Sequence, residues 1–222
     1  LPLNSIKKNY GDRGIQELPE PALFTDDTQM SIAIAEALIR SHDKVRVLDN
    51  LSTGHLSNLD PIRDQIEFVE GDLLDADTVE RVVDGVDCIF HQAALASVPM
   101  SVEQPLATNA ACVTGTLTLL DAARRAGVRR LVYAGSSAVY GDRPTSSKRE
   151  SDLPEPLSPY GTAKLAGEDY CRAVTSTYGF ETGVISYFNG WLRAVPELGD
   201  VLIVRYEDMR VDPGRVLGRI LE

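Results

Sequence analysis

Tyr160 and Lys164 stand four positions apart, downstream of two adjacent serines, Ser136 and Ser137. On a helix this spacing puts the phenol and the ammonium on one face. A phenol titrates near ~10 and becomes a general base only if its pKa is drawn toward neutrality. A lysine one turn away stabilises the phenolate, and a serine hydroxyl nearby can orient the oxygen that gives up its proton. Ser137, Tyr160 and Lys164 are therefore the candidate catalytic residues.

The elements that must position them can be read from the same sequence. Arg130-Leu-Val-Tyr-Ala134 is predicted to be a buried strand that delivers the serines at its C-terminal end. A helix is predicted to start near Pro159 and run to about Tyr178. Upstream, strands are predicted over Ala22–Thr25, Val45–Asn50, Ile66–Val69 and Val86–Phe90. Helices are predicted over Gln29–Arg40, Ala76–Val83 and Pro105–Ala126. Downstream come strands at Thr182–Tyr187 and Val201–Tyr206 and a helix at Gly214–Leu221. This alternation demands one α/β domain, a three-layer, doubly wound, Rossmann-like parallel sheet of about seven strands.

Ala134-Gly-Ser136-Ser137-Ala-Val-Tyr-Gly141, followed by Ser158-Pro-Tyr160-Gly-Thr-Ala-Lys164, resembles the extended short-chain dehydrogenase/reductases. Within that family the closest likeness is to the nucleotide-sugar 4-epimerases, and it covers residues 44–189. The resemblance implies an NAD cofactor, and Asp49 closes a strand where the family uses an acid to bind the adenosine ribose. A strand-end turn residue is the alternative for Asp49. Gly71-Asp72-Leu73 matches the adenine contact, and His91-Gln-Ala93-Ala94 resembles a His-x-Ala-Ala turn against the cofactor. Tyr187-Phe-Asn189 resembles the nicotinamide edge of the site. The implied cofactor-binding set is Asp49, Asn50, Asp72, Leu73, Ala93, Ala94, Tyr160, Lys164 and Tyr187. His91 itself reads as a satisfied structural histidine. Cys112 departs from the family, which usually has Asn three residues before the glycine that is Gly115 here. Resembled enzymes often pair as homodimers through the helices that here carry Asn109 and Tyr160, and they act on nucleotide sugars.

The flanks differ from that pattern. Phe24-Thr25-Asp26-Asp27-Thr-Gln-Met30 resembles a motif of the ADP-ribosylglycohydrolases, in which Thr-Asp-Asp supplies Mg²⁺ ligands. A capped helix start is the alternative reading, and no metal site is expected. The turn also lacks the glycines that let a backbone approach a pyrophosphate. Each of its two carboxylates would oppose a phosphate charge by roughly 3 kcal/mol at ~6 Å and an effective dielectric of ~20. Val201-Leu-Ile-Val-Arg-Tyr-Glu-Asp-Met209 resembles a sulfotransferase segment, without that family's phosphosulfate loop. The sequence is thus expected to be chimeric or engineered: residues 1–43 and 190–222 are foreign strand–helix units around an epimerase-like core at 44–189. Such a chain is expected to lack efficient turnover and to bind NAD poorly. The alternatives are a working NAD-dependent nucleotide-sugar 4-epimerase and an Mg²⁺-dependent ADP-ribosyl hydrolase.

Composition narrows the partners. A net charge of −11 opposes binding to nucleic acid or an anionic membrane surface. No run approaches the ~18 apolar residues of a membrane span, and the first residues lack a signal-peptide core. Cys88, Cys112 and Cys171 are widely separated and lack metal spacing, which suits reduced thiols in a cytoplasmic protein.

Overall fold

The computed structural model describes residues 35, 36, 38, 39, 42–142 and 152–185. All five strands among these residues are short, and each runs parallel to the strand it pairs with. β1 (Val45–Asp49) pairs with β2 (Ile66–Glu70), Val45 opposite Ile66 and Asp49 opposite Glu70. β3 (Cys88–His91), β4 (Arg130–Ala134) and β5 (Glu181–Ile185) pair side by side in that order. In a doubly wound sheet of order 3-2-1-4-5-6, β2-β1 take the first two places and β3-β4-β5 the last three. The strands expected at Ala22–Thr25 and Val201–Tyr206 lie outside the described residues.

Local chemistry sets the helix ends. α1 (Ala76–Val83) opens on Asp75, whose carboxylate accepts the N–H groups of Asp77 and Thr78 and the Thr78 hydroxyl. α2 (Val98–Glu103) opens on Ser97, whose hydroxyl accepts the Met100 N–H. The long helix expected over Pro105–Ala126 is three pieces in continuous succession. These are α3 (Pro105–Asn109), a π-helical turn (Ala110–Thr114) and α4 (Gly115–Ala126). Thr116 Oγ1, at the start of α4, donates to the Cys112 carbonyl in the π turn over 2.8 Å. α5 (Pro159–Tyr178) opens on Ser158 and ends at Gly179, which takes the left-handed conformation that favours glycine (φ 69°).

The core lies where α1, α4 and α5 cover β4. Val79 and Val83, Leu119, Leu120 and Ala123, Leu131 and Tyr133, and Cys171 and Val174 are all buried in one cluster. A fully buried side chain such as Leu120 contributes about 1.5–3 kcal/mol. That packing holds the C-terminal end of β4 rigidly against α5.

Candidate active site

Beyond β4 the chain turns through Gly135 into a 3-10 turn, Ser137–Tyr140. The Ser136 hydroxyl caps this turn by accepting the Ala138 N–H at 3.2 Å. Ser136 is thereby committed to structure, and Ser137 becomes the leading residue of the turn. The chain then packs back on it: Glu155 N–H donates to the Val139 carbonyl at 2.8 Å. Ser158 accepts the Gly161 N–H at 3.0 Å and starts α5 beside the turn. Gly161 allows the approach, because a β-carbon there would stand 2.6 Å from the Ala138 carbonyl oxygen.

α5 brings Tyr160 and Lys164 to that turn. Lys164 is only 3% exposed, so its ammonium needs partners. Its Nζ donates to the Ala134 carbonyl at 2.9 Å. It lies 4.9 Å from the centre of the Tyr133 ring and 6.0 Å from that of Tyr160. A buried cation is thus tethered to the strand end and placed beside the Tyr160 phenol. Of the expected catalytic residues, Lys164 lies beside Tyr160 on α5, and Ser137 leads the 3-10 turn after β4.

His91 lies beneath them, at the end of β3. It is 3% exposed, tilted against Tyr133 at 5.4 Å between ring centres, and 2.8 Å from Thr116 Oγ1 through Nε2. Since the Thr116 hydroxyl donates to Cys112, its oxygen accepts from His91, which places the imidazole proton on Nε2. Burial, assisted by the Lys164 charge, lowers the His91 pKa to about 3. His91 is therefore neutral and structural, as read from the sequence. Burial also drives the Tyr133 phenol upward, so Tyr133 is no base.

Glu168 was not singled out in the sequence, yet it belongs to this site. It is 5% exposed, and its Oε1 has no hydrogen-bond partner among the described residues. Burial raises its pKa to about 7, and Asp169 adds to the rise, while Arg172, the Ser136 N–H and Lys164 oppose it. The available signal was positional: Glu168 sits on the apolar face that carries Ala163, Lys164, Cys171 and Val174.

The cofactor-binding candidates occupy strand ends. Asp49 closes β1 and is exposed; its Oδ1 accepts the Leu51 N–H at 2.7 Å. Asn50 is tied to Asp72 over 2.8 Å, and Asp72 also accepts the Leu74 N–H at 2.9 Å. Leu73 packs against the core, and Ala93 and Ala94 follow β3. Tyr187, Thr25, Asp26 and Asp27 lie outside the described residues. Among the described residues no group of three or more His, Cys, Asp or Glu side chains could hold a metal ion, and no helix is long and apolar enough to cross a membrane.

The described groups suit two ends of an NAD molecule: an exposed carboxylate for ribose hydroxyls and a buried ammonium beside a phenol. The glycine-free turn that would meet the pyrophosphate lies outside the described residues.

Comparison with known proteins gives the family. Residues 30–192 match the model of the NAD dependent epimerase/dehydratase family, starting upstream of the boundary expected at Lys44. A UDP-glucose 4-epimerase of Mycolicibacterium smegmatis is 36% identical over 160 residues, 70% of this chain and 51% of the relative. That of Lacticaseibacillus casei is 34% identical over 154 residues, 68% of this chain and 46% of the relative. The chain spans about half the length of the curated relatives it matches. Among solved structures, a UDP-N-acetylglucosamine 4-epimerase from Methanobrevibacter ruminantium, in complex with UDP-N-acetylmuramic acid, is 36% identical with a TM-score of 0.65. That match covers 70% of this chain and 50% of the other. The UDP-glucose 4-epimerase of Brucella ovis in complex with NAD is 31% identical with a TM-score of 0.65, covering 70% of this chain and 47% of the other. By fold, by the meeting of β4 with α5, and by a family match over most of its length, the chain belongs to the NAD dependent epimerase/dehydratase family.

Proposed function

We propose that this chain carries the catalytic core of an NAD-dependent nucleotide-sugar 4-epimerase. The observation that supports this most is the buried Lys164 ammonium, held by the Ala134 carbonyl and lying beside Tyr160. When bound, NAD would accept a hydride from the sugar carbon and later return it. Asp49 would hold the adenosine ribose, with Asn50, Asp72, Leu73, Ala93 and Ala94 shaping that end. Tyr187 would border the nicotinamide end. Tyr160 takes the proton of the 4-hydroxyl as base, Lys164 stabilises the phenolate, and Ser137 orients the sugar oxygen. Once the keto sugar has turned its other face to the cofactor, hydride return to that face of the carbon would invert its configuration, and Tyr160 gives the proton back to the 4-oxygen. The relatives' names support a UDP-sugar as substrate, the class recorded for each of them.

A second reading has its own support, the turn Thr25-Asp-Asp-Thr-Gln-Met-Ser31, which lacks glycine. In this reading residues 1–43 and 190–222 are foreign to the 44–189 core, and NAD uptake and turnover are weak. Calorimetric titration of NAD, with and without Mg²⁺, separates the two. Micromolar binding, followed by conversion of UDP-glucose to its 4-epimer, supports the epimerase. Absence of binding up to millimolar NAD overturns it. A homodimer through α3 and α5 belongs to the first reading, and light scattering on the purified chain tests it.

A further inference from the structure

Tyr133 meets both ends of Lys164. Its ring centre lies 4.9 Å from Nζ, and its phenol oxygen lies 3.5 Å from the Lys164 carbonyl oxygen. Gly167, one turn further along α5, leaves room for that phenol: a β-carbon there would stand 2.6 Å from the Tyr133 Cζ. Glycine is a poor residue for a helix interior, so a glycine placed against this ring marks a fitted contact. The other buried residue of β4, Leu131, is aliphatic. The aromatic side chain stands at the position that the ammonium reaches.

We infer that Tyr133 is a positioning residue, whose ring face holds the buried Lys164 ammonium in its place beside Tyr160. A buried ammonium must be met by negative potential. The Ala134 carbonyl supplies part of it at 2.9 Å. The face of an aromatic ring supplies more, and 4.9 Å is well inside the ~6 Å over which that attraction acts. An aliphatic side chain would fill the same core without attracting the cation. A neutral ring also attracts the cation without cancelling its charge, which a phenolate at Tyr160 would use. The titratable groups around the ammonium are His91 from β3, Tyr133 from β4, and Tyr160, Glu168 and Cys171 along α5. Only the consequence for Tyr160 as a base rests on the epimerase reading; the hold on Lys164 does not.

The test replaces Tyr133 in the whole chain by phenylalanine, then by its mono-, di- and trifluoro forms. These keep the ring in place and withdraw electrons from its face step by step. The quantity read is the titration midpoint of the Lys164 ε-carbon by NMR. Tyr133→Phe should nearly keep the midpoint of the unmodified chain. Fluorination should then lower it stepwise, by about one unit in all. A midpoint that stays level along the fluorinated series overturns the inference and leaves Tyr133 a packing residue of the core. Should the fluorinated chains not fold, the Lys164 ε-methylene protons decide. They should lie upfield of ordinary lysine in the unmodified chain and also in Tyr160→Leu, which removes the other ring. Protons at the ordinary position in Tyr160→Leu overturn the inference. Neither NAD nor a sugar enters these measurements, so their failure and that of the epimerase reading are separate results.

Discussion

Gly161 faces the Ala138 carbonyl so closely that a β-carbon on it would stand 2.6 Å from that oxygen. The neighbour is backbone, held in the 3-10 turn that leads from Ser137, so it cannot swing aside. The glycine next to the candidate base is what lets α5 dock onto the turn that carries the candidate serine. Gly161→Ala should therefore cost about 1–3 kcal/mol, as overpacking does, despite the better helix propensity of alanine. Urea unfolding of the variant checks this. Thr162→Ala, one residue on and exposed, should change stability by less than about 0.5 kcal/mol.

Thr116 carries a two-bond relay between His91 and the Cys112 carbonyl. Thr116→Val keeps the shape and removes the hydroxyl. The buried His91 Nε2–H would then have no acceptor, which costs about 1–3 kcal/mol. A drop in unfolding midpoint is the expected outcome. Unchanged stability would show that the relay holds nothing.

His91 and Glu168 make opposite demands on pH. His91 has a folded pKa of about 3 against 6.5 unfolded. Its contribution is complete above 6.5 and is lost as pH falls, by about 2 kcal/mol at pH 5. Glu168 has a folded pKa of about 7 against 4.5 unfolded. Its contribution is complete below 4.5 and is lost as pH rises through 7, again by about 2 kcal/mol between pH 5 and 7. The two nearly cancel, so the stability of the unmodified chain should vary little between pH 5 and 7. Glu168→Gln should uncover the histidine, with stability falling toward pH 5. Chemical denaturation at pH 5, 6 and 7 reads both curves, and a flat profile in the variant would contradict the assignment.

How much of this was legible in the sequence depended on whether the cause was local. α1 and α5 run over Ala76–Val83 and Pro159–Tyr178, as expected. The caps at Asp75 and Ser158 and the glycine at 179 are written in adjacent residues. β4 at Arg130–Ala134 also matches, because its apolar run is bounded by polar neighbours. The π turn at Ala110–Thr114 was not legible, since the apolar periodicity there reads as one continuous helix. Nor was Glu168, since glutamate on a helix ordinarily faces water and only the packing of α5 on β4 buries it. β3 was expected from Val86 and begins at Cys88, because pairing with Arg130 sets its start. The family match from residue 30 takes in helix that sequence reading had placed outside the family core.

Lys164→Met should move the Tyr160 titration. Its Nζ stands 6.0 Å from the ring centre, close enough for the ammonium to favour the phenolate. Tyrosinate absorbance, taken as the difference from Tyr160→Phe in each background, should show the midpoint rise in Lys164→Met. A midpoint that does not move would mean the cation serves only to hold Ala134.

Asp49 offers the cleanest test of the cofactor end, because little else depends on it. Its carboxylate is exposed and holds only the Leu51 N–H among the described residues. Asp49→Ala should therefore lower stability by no more than about 1 kcal/mol, the worth of one exposed hydrogen bond. Removal of a carboxylate that accepts ribose hydroxyls is different, since bonds to a charged group are worth about 1.5–3 kcal/mol. NAD affinity should fall by about 10- to 150-fold, with the unfolding midpoint nearly unchanged. Equal NAD affinity in both proteins would make Asp49 the strand-end turn residue that its Leu51 bond alone describes, and would leave the ribose to another group.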